Sequence, residues 1–402
     1  MSDHRMQCEF PPDAEHRVTL DNWRKPPFNI WSFLHVRELV PTTEIQNNPE
    51  DIWSLDENRA DILSLDFQNG SEGSLSVEKM LKETQTDGFI VLHRGKIVSE
   101  YYDYDLKPHV PHIVMSVSKS FSAMLAGILV GRGQLDPDAS VTDYIPEAAS
   151  SVYGDATVRH VLDMTVGIDF EEDYLASKGP FARYRQATLW NPQDREEPAV
   201  DLRSFLVTIT DRTGSHGEKF KYVSPNSDLL GWIIERSAGR RYADLLGDLI
   251  WKPMGAEFGA YVTNDALGAP RSAGGICCTL RDLARFGRLI AAGGKRDKTG
   301  IIPESFIEDT RRGGSRSAWE AGVYGASMVD WPVRYRNQWY SLGEPHFPIV
   351  AIGVFGQLLF VDPENDFVMA KVSSQPDPES DAKDCMTIRA CQAIAMHCQT
   401  MS

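Results

Sequence analysis

The sequence predicts an α/β (α+β) fold: an antiparallel sheet lobe flanked by helices and formed from both ends of the chain, with a mostly helical lobe inserted between them. Three observations predict it. Two β-rich runs, Gly88-Phe89-Ile90-Val91-Leu92 and Ile97-Val98-Ser99-Glu100-Tyr101-Tyr102, flank the turn His93-Arg94-Gly95-Lys96 in the manner of a hairpin. Three further strand patterns lie near the other end, at 349–354, 357–361 and 367–372, the last two joined by Pro363-Glu364-Asn365-Asp366. Between these groups, residues 116–250 are dominated by helical spacing. The five strands are expected to make one sheet.

Taken in order, residues 1–74 read as an arm packed on the body. Residues 1–20 are polar and proline-dotted, Trp23, Phe28, Trp31 and Phe33 crowd around Pro26-Pro27, and 41–73 is mostly polar. Leu75, Val77, Met80 and Leu81 then carry the period of an amphipathic helix that should cover the sheet. The sheet lobe is expected over 75–115 and 275–402, and the helical lobe over 116–274, with helices near 116–130, 157–164, 202–209, 227–237 and 242–251. The connection 167–201 lacks periodicity and is rich in aromatic and charged residues, so it is expected to overhang a site. All 402 residues are expected to form one catalytic unit.

With 42% apolar and 24% charged residues the composition is that of an ordinary globular protein. A net charge of −16 argues against nucleic acid and anionic membrane surfaces, which attract lysine and arginine clusters. The N-terminal segment has no apolar secretory core and no apolar run approaches 18 residues, which predicts a soluble, cytoplasmic protein. The six cysteines contain no Cys-x-x-Cys pair and read as reduced thiols. Cys391, His397 and Cys398 fit a packed final helix better than a metal site lacking a fourth ligand, so neither metal nor cofactor is assigned. The oligomeric state stays open.

The residues that carry chemistry begin at Ser116. Ser116 and Lys119 sit three apart at the start of an apolar run, Ala123, Met124, Leu125, Ile128 and Leu129, long enough for a buried helix. On a helix that spacing puts ammonium and hydroxyl on one face, at the positive end of the dipole, and a serine needs such help to become a nucleophile. Ser76-x-x-Lys79 and Ser380-x-x-Lys383 satisfy the same pattern. Ser76 opens an amphipathic surface helix and Ser380 lies in an acidic, proline-bearing loop, whereas only Ser116 leads into a buried helix. A helix cap beside a solvated lysine remains the alternative for Ser116. No Gly-x-Ser-x-Gly occurs, and a Ser-His-Asp triad has no specific support.

Further on, Phe220-Lys221-Tyr222-Val223-Ser224-Pro225-Asn226-Ser227-Asp228-Leu229-Leu230-Gly231 puts a tyrosine before a turn that opens another helix. With Ser116-Val117-Ser118-Lys119, Gly133-Gln134-Leu135-Asp136, Tyr144-Ile145-Pro146-Glu147 and Gly274-Gly275-Ile276, it resembles the serine β-lactamase and penicillin-recognising family. The likeness is to the class C branch and, within it, to the esterases and 6-aminohexanoate-dimer (nylon oligomer) hydrolases. It runs from about residue 20 to about residue 375. The resemblance implies a β-lactamase-like fold, an acylated Ser116, and a proton shared by Lys119 and Tyr222. It further implies an oxyanion hole made by the backbone N–H groups of Ser116 and Val354, and substrate contacts at Tyr174, Ser224 and Gly353.

Physically the three catalytic groups are consistent, because a cationic or proton-sharing lysine beside a phenol favours the phenolate, so Tyr222 can take the serine proton and hand it to the leaving group while Lys119 tunes it. The chain departs from the family where a Lys-Thr-Gly or His-x-Gly strand is usual: the counterpart is Ala351-Ile352-Gly353, without the cation that receives a penicillin's carboxylate. Ser224 stands where class C enzymes carry asparagine, leaving Asn226 unassigned. The aspartate that follows the Tyr174 position in the nylon hydrolases has no counterpart between Asp173 and Asp194. By the resemblance Arg183 and Arg185 or their neighbours take its place and point toward neutral or acidic substrates. The expectation is a serine hydrolase cleaving an ester or amide of a small molecule. An acyltransferase using the same residues, or a non-catalytic ligand-binding member, are the alternatives.

Overall fold

The computed structural model describes residues 6–194, 198–322 and 328–401. Strand β1 (Thr42–Ile45) and helix α1 (Val77–Glu83) precede β2 (Thr86–His93) and β3 (Lys96–Tyr102). Strand β4 (His112–Ile113) leads into α2 (Val117–Gly131), followed by α3 (Pro180–Ala187) and α4 (Ser224–Ala238). Next come β5 (Ala260–Thr263), β6 (Ile276–Cys278), α5 (Leu280–Ala291), β7 (Arg334–Arg336) and β8 (Trp339–Ser341). The chain closes with β9 (Ile349–Gly353), β10 (Gln357–Asp362), β11 (Phe367–Ser373) and α6 (Asp381–Gln399).

The two ends of the chain meet in one antiparallel sheet of order β7-β8-β9-β10-β11-β2-β3. The join is β11 on β2, with Phe367 opposite His93 and Lys371 opposite Phe89. Both strands are buried along their whole length, because alternate side chains enter different layers. Ile90, Leu92, Val368 and Ala370 pack with α2 and α5. Phe89, Val91, Phe367 and Met369 pack with α1 and α6. Helix on both faces explains why these strands read as continuous apolar runs.

The sheet has seven strands, two more than the sequence predicts. The missed pair, β7 and β8, is joined by Asn337 (φ 50°) and Gln338 (φ 59°), both left-handed as a tight hairpin turn requires. The turn lacks the glycine that usually announces it. It is held instead by side chains: Gln338 Nε2 donates to Val161 O at 2.9 Å, and Asn337 Nδ2 to Asp309 Oδ2 at 3.0 Å.

Three further expectations need correction. The stretch 167–201 is not wholly irregular, since Gly179 (φ 88°) turns the chain into α3 with Pro180 at its first position, where a missing N–H costs nothing. Ser380 does not lie in a loop but caps α6, its hydroxyl accepting from the Lys383 N–H. The arm contributes strand as well as coil, because β1 pairs with β5 in a second, four-stranded sheet of order β1-β5-β6-β4. Helix α2 is buried at 13 positions and apolar on most sides, as expected for a helix inside a body. Phe121 stacks on Phe286 of α5 with ring centroids 3.9 Å apart. No helix of the described residues is long and apolar enough to cross a membrane.

Candidate active site

The N-terminus of α2, the N-terminus of α4, the end of β9, the segment 171–176 and the start of α6 surround one cavity of about 690 Å3. Ser116, Tyr174, Tyr222, Gly353 and Val354 line it, as do Trp319, Tyr340 and Ile352. Five of the seven sequence-predicted site residues thus share a wall. The other two, Lys119 and Ser224, lie buried behind Ser116.

The three Ser-x-x-Lys matches separate on geometry. Ser76 and Ser380 spend their hydroxyls on the backbone N–H of the lysine three residues on, as helix caps do. Ser116 makes no cap bond, although it stands at the same position of its helix. Its Oγ lies 2.8 Å from Lys119 Nζ. The residue before it, Met115, has φ 46°, an uncommon conformation that turns the chain sharply out of β4 toward α2.

Lys119 Nζ also reaches Ser224 Oγ at 3.1 Å and Ala273 O at 2.7 Å. Burial lowers its pKa from the usual 10.5 to about 7, with Arg271 adding to the fall and the charges of Glu172 and Asp228 opposing it. Near neutrality a large share is therefore free base, able to accept a proton across the 2.8 Å contact. The ring of Tyr222 lies 4.9 Å from the same nitrogen.

Ser224 is committed to protein groups: it accepts from Lys119 and donates to Glu172 Oε2 at 3.2 Å, and its N–H donates to Glu172 Oε1. Tyr174 donates to the same carboxylate at 2.9 Å. Glu172 therefore ties the wall residue Tyr174 to the lysine through Ser224. Sequence reasoning missed it, and the only signal was the acidic run Glu171-Glu172-Asp173. Asp228 was missed too; it accepts the Ala273 N–H at 2.7 Å and so holds the carbonyl that holds Lys119. Asn226 packs inward, accepting from Tyr153 OH at 3.1 Å.

The end of β9 approaches Ser116 closely. A Cβ on Gly353 would come to 2.9 Å from Val114 O and 3.0 Å from Ser116 N, so a side chain here would push the strand off the α2 turn. Neither the Ser116 nor the Val354 N–H has an acceptor among the described residues. The turn beyond is braced by Gln357 Nε2, which donates to Phe355 O and Ser373 O, and by the buried Lys371, which donates to Gly356 O at 2.9 Å. Ala351 is packed in the core, leaving Ile352 and Gly353 on the cavity; the strand edge is an apolar wall. Among the described residues no histidine lines the cavity, and His112 is occupied by Asp87 at 3.0 Å. Cys391 and Cys398 are buried on α6 with thiol pKa values raised by burial.

The Beta-lactamase family model matches residues 77–393. The chain belongs to that family. Within it, the chain is 35% identical over 373 residues to the 6-aminohexanoate-dimer hydrolase of Paenarthrobacter ureafaciens, spanning 93% of this chain and 92% of the relative. A solved Bacillus anthracis structure assigned to the 6-aminohexanoate-dimer hydrolases superposes with a TM-score of 0.86 at 24% identity, covering 96% of this chain and 98% of its own. A class C β-lactamase from Rhodobacter sphaeroides has the same fold at 16% identity, with a TM-score of 0.56 over 79% of this chain and 97% of its own. Family and relative together make this β-lactamase-fold protein a hydrolase.

Proposed function

We propose that the protein is a serine hydrolase that cleaves an ester or amide bond of a small molecule through an acyl-enzyme on Ser116. The observation that carries this reading is the 2.8 Å contact between Ser116 Oγ and a buried lysine whose pKa lies near 7. Lys119, as free base, takes the serine proton while Oγ attacks the substrate carbonyl, the part that the sequence reading gave to Tyr222. The tetrahedral oxyanion is held by the N–H groups of Ser116 and Val354, and one such donor is commonly worth about 3 kcal/mol of transition-state stabilisation. As the carbonyl re-forms, the bond to the leaving group breaks and that group takes a proton from the Lys119–Tyr222 pair. Water then attacks the acyl-serine by the reverse proton path, releasing the acid and restoring Ser116.

Tyr174 and Gly353 are assigned to the substrate's surroundings, and Ser224 to positioning Lys119. The curated relative acts on the 6-aminohexanoate dimer, and this chain shares most of its length with it. The resemblance puts Arg183 and Arg185 or their neighbours where the nylon hydrolases carry that aspartate, so the substrate is expected to differ in charge. The test is intact-mass measurement after incubation with a fluorophosphonate or a chromogenic ester. A single adduct on Ser116, absent in Ser116→Ala, supports the reading; turnover without any such adduct overturns it. Product analysis with added alcohols separates hydrolysis from acyl transfer.

A further inference from the structure

Beside the cavity of Ser116 lies a second, larger one of about 1,420 Å3, and the two meet at Tyr174, Val354 and Pro378. Arg24, Arg185 and Arg271 all line the second cavity. Three guanidinium groups converging on one space are conspicuous in a chain of net charge −16. Only Arg271 forms an ion pair with a described carboxylate, that of Asp228. Arg24 donates to Trp190 O at 3.3 Å and to Asn191 Oδ1, both uncharged. Arg185 donates to the carbonyls of Tyr174 and Ala176.

These partners do not satisfy the cluster. The Nε–H of each of the three arginines is shut off from solvent with no acceptor, and buried donors of this kind are rare in native proteins. Burial and the repulsion of Arg185 and Arg271 bring Arg24 down to about 9, far below an ordinary arginine. One acidic residue, Asp21, lines this cavity against Arg24, Lys25, Arg185 and Arg271, whereas Glu379, Asp381 and Asp384 line the other, on the α6 side of Ser116. The cleft is therefore basic on one side of the serine and acidic on the other.

We propose that Arg24, Arg185 and Arg271 form an anion-recognition subsite that holds a carboxylate carried by the ester or amide substrate and so orients its scissile bond at Ser116. This rests on the hydrolase reading above. Planar guanidinium forks match a carboxylate in two-point contact, and Phe181, Trp190 and Phe355 supply apolar walls for the stem that carries it. Among the described residues the acidic side offers no arginine or lysine to receive the same carboxylate, which leaves one orientation. Arg185 also holds the backbone of Tyr174, so the subsite and the wall of the Ser116 cavity are built on one segment.

The test compares charged and neutral partners of equal length. With the carboxylate on the acyl side the pair is the p-nitrophenyl monoester of adipic acid against p-nitrophenyl hexanoate. With it on the leaving-group side the pair is 4-acetoxybenzoate against 4-methylphenyl acetate. Wild-type protein is expected to favour the anionic member of at least one pair tenfold or more in kcat/KM, mostly through KM. Arg24→Gln should bring that ratio to within about twofold of unity, and Arg24→Lys should restore part of it. Adipate binding to Ser116→Ala, followed by calorimetry, should weaken at least tenfold when Arg24→Gln is added. Neutral esters left intact by wild-type protein would defeat the hydrolase reading, while adipate binding to Ser116→Ala still tests the subsite. No anionic preference in either pair, or adipate binding indifferent to Arg24, overturns the subsite.

Discussion

At the scale of single residues, Ser116 and Lys119 were legible because helical spacing puts them on one face and an apolar run long enough for a buried helix follows them. Glu172 was not, because its link to the lysine runs through Ser224, 52 residues away. Its influence is testable through pH. In the proposed mechanism free-base Lys119 is the working form, so kcat/KM for a neutral ester should rise with pH through a limb near 7. The charge of Glu172 raises the lysine's pKa; Glu172→Gln should move the limb to lower pH, and a move the other way would contradict the arrangement. The second residue-scale prediction concerns Lys119 and Tyr222. If they handle one proton together, Lys119→Ala and Tyr222→Phe should each cost several orders of magnitude, and the double mutant should be little worse than the poorer single one. Additive losses, measured as a double-mutant cycle in kcat/KM, would show that they act separately.

At the scale of elements, identical sequence patterns have different work. Ser76→Ala and Ser380→Ala remove helix caps, so each should lower unfolding stability by about 1 kcal/mol in denaturant titrations and leave ester turnover unchanged. Ser116→Ala removes no cap bond and should do the reverse: turnover below about a hundredth of wild type, with near-native stability. The pattern Ser-x-x-Lys cannot tell these cases apart, because the difference lies in where the hydroxyl points. The hairpin β2–β3 was readable from Arg94-Gly95 between β-rich runs. The hairpin β7–β8 was not, since Asn337-Gln338 reaches the same left-handed geometry only through side-chain bonds to distant residues. Helix α3 was hidden for a related reason, its eight residues mixing polar and aromatic side chains with no clear stripe.

At the scale of the whole molecule, the apolar edge at Ala351-Ile352-Gly353 bears on specificity. Short-chain esters should be turned over far better than cephalosporins in parallel assays, and efficient cephalosporin hydrolysis would mean that another cation takes the family lysine's part. The sheet that joins both ends of the chain has a further consequence, for biosynthesis. Ser116 and Lys119 are made early, whereas Val354 and the cavity wall at Glu379 and Asp384 emerge among the last residues, and β2 waits for β11 before it has a neighbour on that side. Such distant pairings close late in folding. A ribosome-stalled chain ending before Gly353 should therefore carry the serine–lysine pair yet stay unlabelled by a fluorophosphonate, while the released full-length chain becomes reactive. Covalent labelling during cell-free translation would then report completion of the fold: the nascent chain is chemically silent until its C-terminus has docked.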